Sequence, residues 1–527
     1  MNSSSQIPWP ACAWFKEPQQ PNDDMSDPDA PITVAELFAG VGGFRLGLEG
    51  HPDEQENTGF KVVFSNQWEP DEKAQWASKI YEERFGPEGH TNDSIHDFTH
   101  PIDGIKDIAE HDLLVGGFPC QDYSVARTVS GELGIEGEKG KLWVDIARIL
   151  RWMRPRPKMV FLENVPRLLN SPATARGLNF AIILNDLISM GYEVEWRVIN
   201  AADYGMPQQR SRVFILAYRT PGSSSRISSI NGKGRFGARQ KTYGPISRWV
   251  LGGRGDISKK WDKGPFSEAF PCTGEFQGMA ELLPEIEEFA HRKSSPFGNA
   301  GYAWKYRYGG KSPKKQEIRF WSTRVKAQYE GEKTTLGEVL TDVHDPDYEI
   351  TDNEKLRMYE YIKGEQKEWR IRKADRKDAE GIKANNGNLW DLYQRCTKGY
   401  DTQLWQDSRT DPGYLKGVEM GIIYDYSAGA MAYPDPLDKA SRTVVTAEIG
   451  KSVSRMRHVI EYEEGKFRGL MPEELEQLNM FPKGWTEYEG ISDSRRGFLM
   501  GNALVVGIVE RLAGPIERLI RRRSESP

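Results

Sequence analysis

From residue 32 to about residue 218, short apolar runs alternate with amphipathic stretches. ITVAELF (32–38), KVVFSN (61–66), DLLVGG (112–117), MVFLEN (159–164), YEVEWRVI (192–199) and RVFILAY (212–218) have the length and the β-branched content of strands. Between them, FRLGLEG, DEKAQWASKIYEERFG, LWVDIARILRWM and GLNFAIILNDLISMG carry apolar residues at helical spacing. Strands that alternate with helices predict βαβ units, and so an α/β fold with a doubly wound, mostly parallel sheet.

Near residue 220 the texture changes. PGSSSRISSINGKGRFGARQ is rich in Ser and Gly and reads as a connector. No βα rhythm follows until about residue 440. From 470 the helical pattern returns in MPEELEQLNM and ALVVGIVERLAGPIERLIRRR. Residues 1–30 are polar, Pro-rich and acidic, and read as a tail. The pattern divides the chain into 1–30, 31–220, 221–440 and 441–527. No internal repeat is evident.

Composition adds limits. The chain has 527 residues, of which 38% are hydrophobic and 28% charged, a soluble globular balance. The apolar runs are shorter than the ~18 residues of a membrane span, and the N-terminus does not read as a secretion signal. Four cysteines, Cys12, Cys120, Cys272 and Cys396, form no CxxC pair, which fits a reducing cytosol and disfavours zinc–thiolate sites. A net charge of -6 argues at first against a nucleic-acid partner. The distribution reverses that. Residues 221–260 hold nine Lys/Arg against one acidic residue, and 291–330 hold ten against two, interleaved with Tyr302, Trp304, Tyr306, Tyr308, Phe320 and Trp321. Acidic charge collects in the tail and in ELLPEIEE (281–288).

Five segments carry candidate chemistry. In ELFAGVGGFRLGL (36–48), glycines at 40, 42 and 43 sit between a strand and a helix, where a cofactor can approach the backbone. The spacing is not GxGxxG, and many such turns are only tight turns. In SNQWEPDE (65–72), Gln67, Glu69 or Asp71 can meet ribose hydroxyls, and Trp68 can stack on a base or fill the core. In GGFPCQDYS (116–124), Cys120 follows a strand and a proline, at the edge where open α/β sheets bind ligands. A lone Cys is more often inert, but this loop position favours a nucleophile. In FLENV (161–165), Glu163 ends a strand on the same edge. Partial burial would raise its pKa and suit it to proton donation; the bland alternative is a salt-bridged Glu. In PQQRSRVFILA (207–217), Arg210 and Arg212 alternate toward one face and suit a phosphate or a ring carbonyl, or a structural ion pair.

The ordered set FAGVGGF, PCQ, ENV and Gln208–Arg210–Arg212, followed by LMPEELEQLNMFPKGW (470–485) and GNALVV (501–506), resembles the DNA (cytosine-5)-methyltransferase family of bacterial type. The resemblance covers about 31–218 and 441–527, with YDYSAGAMAYPDPLDKASRTVVTAE (424–448) similar to the late recognition region. It implies a Rossmann-like, S-adenosyl-L-methionine-dependent catalytic domain and a smaller, irregular, β-rich target-recognition domain over 221–440. Phe38, Gly40, Val41, Gly43, Gln67, Trp68, Asp93, Pro119, Leu142 and Asn502 would line the cofactor pocket. Cys120 would be the nucleophile and Glu163 the residue holding the flipped cytosine. Arg212, with Arg210, would hold the ring oxygen or a phosphate. Gln121, Ser124 and Arg127 would meet DNA, with Ala126 or Arg127 filling the vacated stack. No metal is implied. The family usually has Glu where this chain has Gln67, and often GDI where it has NDS (92–94), which leaves Asp93 in place.

The resemblance further implies double-stranded DNA as partner, a cognate restriction endonuclease, a monomer, and a cytoplasmic place on DNA. Three other readings compete. An RNA cytosine-5 methyltransferase acting on tRNA lacks the long insert. A catalytically dead DNA-binding regulator finds support only in Gln67. A nucleotide-dependent oxidoreductase leaves PCQ and ENV unexplained.

Overall fold

The computed structural model describes residues 30–53, 59–70, 72–100, 105, 107–118, 141–172, 175–219, 264–274, 280–290, 292–306, 317–342, 345–373, 421–450 and 452–524. Its centre is a ten-stranded sheet. In chain order the first seven strands are β1 (Ile32–Leu37), β2 (Phe60–Asn66), β3 (His90–Thr91), β4 (Leu113–Gly117), β5 (Met159–Asn164), β6 (Tyr192–Asn200) and β7 (Ser211–Arg219). β8 (Cys272–Gly274) pairs outside the sheet with a short strand at 325–327. β9 (Glu281–Leu282), β10 (Ala300–Tyr306) and β11 (Glu317–Thr323) complete the large sheet. Its order is β3-β2-β1-β4-β5-β7-β6-β10-β11-β9.

The five strands from β3 to β5 in that order are parallel neighbours, and β7 runs antiparallel to both β5 and β6. The chain leaves β1 toward β2 on one side and returns to β4 on the other. The topological switch point therefore lies between β1 and β4, where open α/β sheets bind ligands. Register aligns the carboxyl ends: Leu37 faces Asn66 and Gly116, and Gly117 faces Glu163.

The central strands are apolar on both faces because both are covered. In β5, Met159 and Phe161 join one core while Val160 and Leu162 join the other. In β7, Phe214, Leu216 and Tyr218 alternate with Val213, Ile215 and Ala217 in the same way. One face is covered by α1 (Gly43–Glu49), and the other by α4 (Lys141–Trp152) and α5 (Leu178–Ser189). Helix α2 (Trp76–Phe85) follows β2, and the short α3 (Ile95–Thr99) follows β3. Helix α2 starts later than residue 71 because Gln75 closes a turn instead. Its side chain accepts from Glu69 N at 3.0 Å and donates to Glu69 O at 2.7 Å, and its own φ is 50°.

The basic, aromatic stretch beyond residue 290 has a role its sequence did not reveal. β10 pairs antiparallel with the outer side of β6, and β11 and β9 follow. Gly301 makes this possible: a Cβ there would lie 2.1 Å from the Trp196 ring. Beyond, α6 (Asn353–Lys363) packs in a small cluster of Ile350, Tyr359 and Val459, and β12 (Gln366–Lys373) pairs antiparallel with β13 (Gly421–Ala428).

The chain then returns through α7 (Pro472–Leu478), α8 (Asp493–Asn502) and α9 (Val506–Ser524). Helix α9 lies on α1, where a Cβ on Gly47 would meet Val509 Cβ at 2.6 Å. The helical run Asp493–Arg521 is long and apolar enough to cross a membrane by length and composition, with mean hydropathy 1.3 in its richest window. It is interrupted at 503–505, between α8 and α9, and carries Glu510 and Arg511, so it is not one continuous apolar stretch. Its apolar stripe, Ile508, Val509, Leu512, Ile516 and Ile520, is buried in the core against the sheet and α1.

Candidate active site

The carboxyl edge of β1, β2, β4 and β5 gathers the site. β1 ends in a strained turn: Phe38 has φ 55°, Gly40 has φ 59° and Gly42 has φ 87°. A non-glycine residue in the left-handed region is uncommon and is held by its surroundings. Ala39 N bonds to Asn66 O at 3.0 Å, and Gly40 N donates to Gln67 Oε1 at 2.7 Å. A Cβ on Gly40 would meet nothing within 4 Å among the described residues, so on their side the turn is open.

The other glycines of the motif do different work. A Cβ on Gly42 would lie 2.2 Å from the Phe85 ring, and one on Gly43 would lie 3.2 Å from Leu504 and Phe481. They permit close packing, which places Gly43 away from the open side. Val41 is buried, and its carbonyl accepts from Trp485 Nε1 at 2.8 Å. The FPKGW segment thus braces the glycine turn from behind, a contact no local pattern announces.

After β2, Gln67 is buried and Trp68 is 41% exposed. The exposure rules out the core reading of Trp68 and leaves its ring available beside the turn. Asn66 Nδ2 donates to Asp93 O at 2.8 Å, and the Asp93 carboxylate accepts from Thr91 Oγ1 at 2.7 Å. These bonds hold the Asp93 segment against the end of β2. Glu69 is committed elsewhere: Arg495 of α8 pairs with it and reaches Glu72 at 3.2 Å. Leu142 is half-buried at the start of α4, and Asn502 is exposed at the end of α8. Asp71 lies outside the described residues.

Glu163 stands at the other side of the edge. Its Oε1 pairs with Arg212 Nε at 2.8 Å. Burial pushes its carboxyl up from the ordinary range, while Arg212 and then Arg210 pull it partly back. A Cβ on Gly117 would come within 3.1 Å of Glu163 Oε2, so the end of β4 touches this carboxylate. Asn164 Nδ2 donates to Phe118 O at 3.0 Å, which ties the β5 end to the segment entering the PCQ motif. Pro119, Cys120, Gln121, Ser124, Ala126 and Arg127 lie outside the described residues.

The two arginines separate. Arg212 faces Glu163. Arg210 is 1% exposed and donates to Val444 O at 3.1 Å and Gly501 O at 2.9 Å. Burial lowers its pKa to about 9, with Arg212 adding repulsion. Gln208, fully buried, donates to Leu478 O at 3.1 Å and Asn479 Oδ1 at 2.9 Å and accepts from Val444 N at 2.9 Å. The QxR part of the motif is a clasp for the returning chain. The expectation that Arg210 shares the open face with Arg212 does not hold in the geometry, because Arg210 is spent on backbone carbonyls.

Comparison with known proteins identifies the family. The profile described as C-5 cytosine-specific DNA methylase matches residues 32–245 and 308–518. The chain belongs to that family. It is 34% identical over 492 residues to Type II methyltransferase M.Sau3AI of Staphylococcus aureus, covering 93% of this chain and 96% of that one. Type II methyltransferase M.HhaI of Haemophilus parahaemolyticus is 37% identical over 190 residues, 36% of this chain and 49% of that protein. Among solved structures, the Entamoeba histolytica methyltransferase EhMeth aligns with 92% of this chain and 98% of its own at a TM-score of 0.46 and 14% identity. The protein is a DNA cytosine-5 methyltransferase, an enzyme whose substrate is DNA.

Proposed function

We propose that this methyltransferase modifies carbon 5 of a flipped-out cytosine in a specific duplex sequence, through a covalent Cys120 adduct, with S-adenosyl-L-methionine as cofactor. The observation that carries the reading is the register of β4 with β5. Gly117 lies opposite Glu163, and Cys120 follows three residues later in the chain.

The residues present fit the cofactor. Gly40 is open on the side of the described residues, Gln67 fixes the turn through Gly40 N–H, and Trp68 offers an exposed ring. Phe38, Gly40, Gln67, Trp68 and Asp93 would hold it, with Leu142 and Asn502 closing the pocket. When bound, it supplies a methyl group on a sulfonium.

Carbon 5 of cytosine is a poor nucleophile. The Cys120 thiolate would form a bond to carbon 6 and push the electron pair toward carbon 5. Glu163, with its raised pKa, would protonate or hydrogen-bond N3 as charge develops there, and Arg212 would keep Glu163 aimed and hold the ring oxygen. Carbon 5 then takes the methyl group. Loss of its proton to a base expels the Cys120 sulfur and restores the ring. The cytosine must leave the stack for any of this, so the segment 121–140 would act as a lid, with Gln121, Ser124 and Arg127 on DNA. Segment 221–440 would read the target sequence, and Arg210 would act as a positioning residue. The protein would work as a monomer in the cytoplasm, beside a restriction endonuclease of the same specificity.

Tritium transfer from labelled S-adenosylmethionine tests the reading. Duplex DNA should be labelled and tRNA should not, and Cys120→Ser should abolish labelling. DNA labelling that survives this change overturns the covalent route, and absence of labelling by the intact chain favours a DNA-binding regulator. Bisulfite sequencing of host DNA then gives the modified context.

A further inference from the structure

Away from the edge just described, His96 and His100 stand one turn apart at α3, and Asp145 faces them from α4. The two rings stack with centroids 3.8 Å apart. Both present Nδ1 to the same carboxylate oxygen. His96 Nδ1 lies 3.5 Å and His100 Nδ1 3.9 Å from Asp145 Oδ1. Ligand atoms around a tetrahedral zinc with bonds near 2.1 Å are separated by about 3.4 Å. Both separations from Asp145 are therefore close to ligand spacing, and the three ligand atoms all lie within 4.8 Å of one another.

A second observation is independent of this spacing. The Asp145 side chain is 1% exposed. Thr99 Oγ1 donates to its Oδ1 at 2.6 Å, but Oδ2 is buried with no hydrogen-bond donor among the described residues. A buried carboxylate oxygen without a donor is costly unless a cation compensates it. Arg148 supplies a cation on the Oδ1 side and leaves Oδ2 without a donor among the described residues. Its Nη1 lies 3.5 Å from Asp145 Oδ1 and 3.0 Å from His100 Nδ1, and it also contacts His100 Nε2. His100 Nδ1 also lies 3.0 Å from Thr99 Oγ1, so a metal taking this nitrogen's lone pair would displace that contact as well as Arg148. The Arg148 side chain is 34% exposed, which leaves it a route into solvent.

We propose that His96, His100 and Asp145 form a three-ligand site for a divalent transition-metal ion, with Arg148 as the side chain the ion displaces. Two imidazoles and a carboxylate suit zinc and its substitutes nickel and cobalt. The ion would cross-link the helix that follows Asp93 to the helix that follows residue 140. Its binding is independent of the cofactor reading and is measured without turnover.

The test uses the full chain, freed of metal by chelator. Calorimetric titration with Zn2+ should give one ion per chain in the micromolar range or tighter. Cobalt should give visible bands of nitrogen and oxygen ligation without a thiolate charge-transfer band. His96→Gln and His100→Gln, both at partly exposed side chains, should each weaken zinc about tenfold or more while the metal-free melting temperature stays unchanged. Arg148→Met should tighten zinc several-fold, and His51→Gln should change nothing. The proposal is overturned by absence of micromolar binding, by a thiolate band, or by affinity that the His96 and His100 changes leave intact.

Discussion

Glu163, Gln67 and Glu36 are three side chains that accept hydrogen bonds at the same end of the molecule, and their surroundings give them different properties. Glu163 is held by one arginine and lifted by burial, so it keeps a proton more readily than a surface Glu. Glu163→Gln should lower kcat about 10²–10⁴-fold, the usual weight of a general acid, while calorimetric cofactor affinity stays the same. Gln67 spends one carbonyl lone pair on Gly40 N–H, which leaves a second acceptor position and the amide donors for a ribose. Gln67→Glu keeps that acceptor and adds charge. Charge-assisted bonds exceed neutral ones by roughly 1 kcal/mol, so S-adenosylmethionine should bind about fivefold more tightly by calorimetry. Glu36 lies in β1, fully buried, accepting from Tyr81 OH at 3.0 Å. Burial pushes its carboxyl up from 4.5 to about 7. The folded chain thus binds this proton more tightly than the unfolded chain. The stability it contributes is complete below pH 4.5 and is lost as pH rises through about 7. Glu36→Gln has no such loss, so its melting temperature should gain on the parent between about pH 5 and pH 8, by up to about 3 kcal/mol in stability.

At the scale of elements, the strands β1, β2, β4, β5, β6 and β7 were readable to within one or two residues. β4, β5 and β7 are near-continuous apolar runs because both faces of the sheet are covered, while β6, YEVEWRVIN, shows the alternation of a strand. The short elements were not. β3 has two residues and α3 five, too few to show a period. α8, DSRRGFLMGN, is polar at its start and went unnoticed, although Ser492 caps it by accepting from Arg495 N. β9, β10 and β11 escaped for another reason: antiparallel pairing onto β6 is a long-range choice, and a basic aromatic stretch reads locally as a surface. The Gln208–Arg210 clasp was likewise visible only as a motif. Gln208→Ala would strand Val444 N–H and Leu478 C=O in the interior, and should cost about 2–3 kcal/mol in denaturant unfolding. Gly47→Ala should cost about 1–3 kcal/mol by pressing α1 against Val509.

Over the whole molecule, charge is segregated. The chain has a net charge of -6, yet its basic residues are concentrated in segments such as 221–260, which the proposed function assigns to DNA contact. Arg226→Ala, Lys233→Ala, Arg235→Ala and Arg239→Ala together should weaken DNA binding at every sequence. They should also flatten the plot of log K against log salt by about 0.9 for each phosphate no longer neutralised. The sequence by itself determined the family, the α/β class and the candidates Cys120, Glu163, Gln67 and Trp68, because covered strands and motif order are local properties of the chain. Only the tertiary structure separated the residues within the glycine-turn and QxRxR motifs. It turned Arg212 toward Glu163 and Arg210 into the clasp, left Gly40 open among the described residues while packing Gly43 under Leu504, and set Trp485 beneath Val41. Those assignments depend on segments hundreds of residues apart meeting at one sheet edge, which spacing along the chain does not encode.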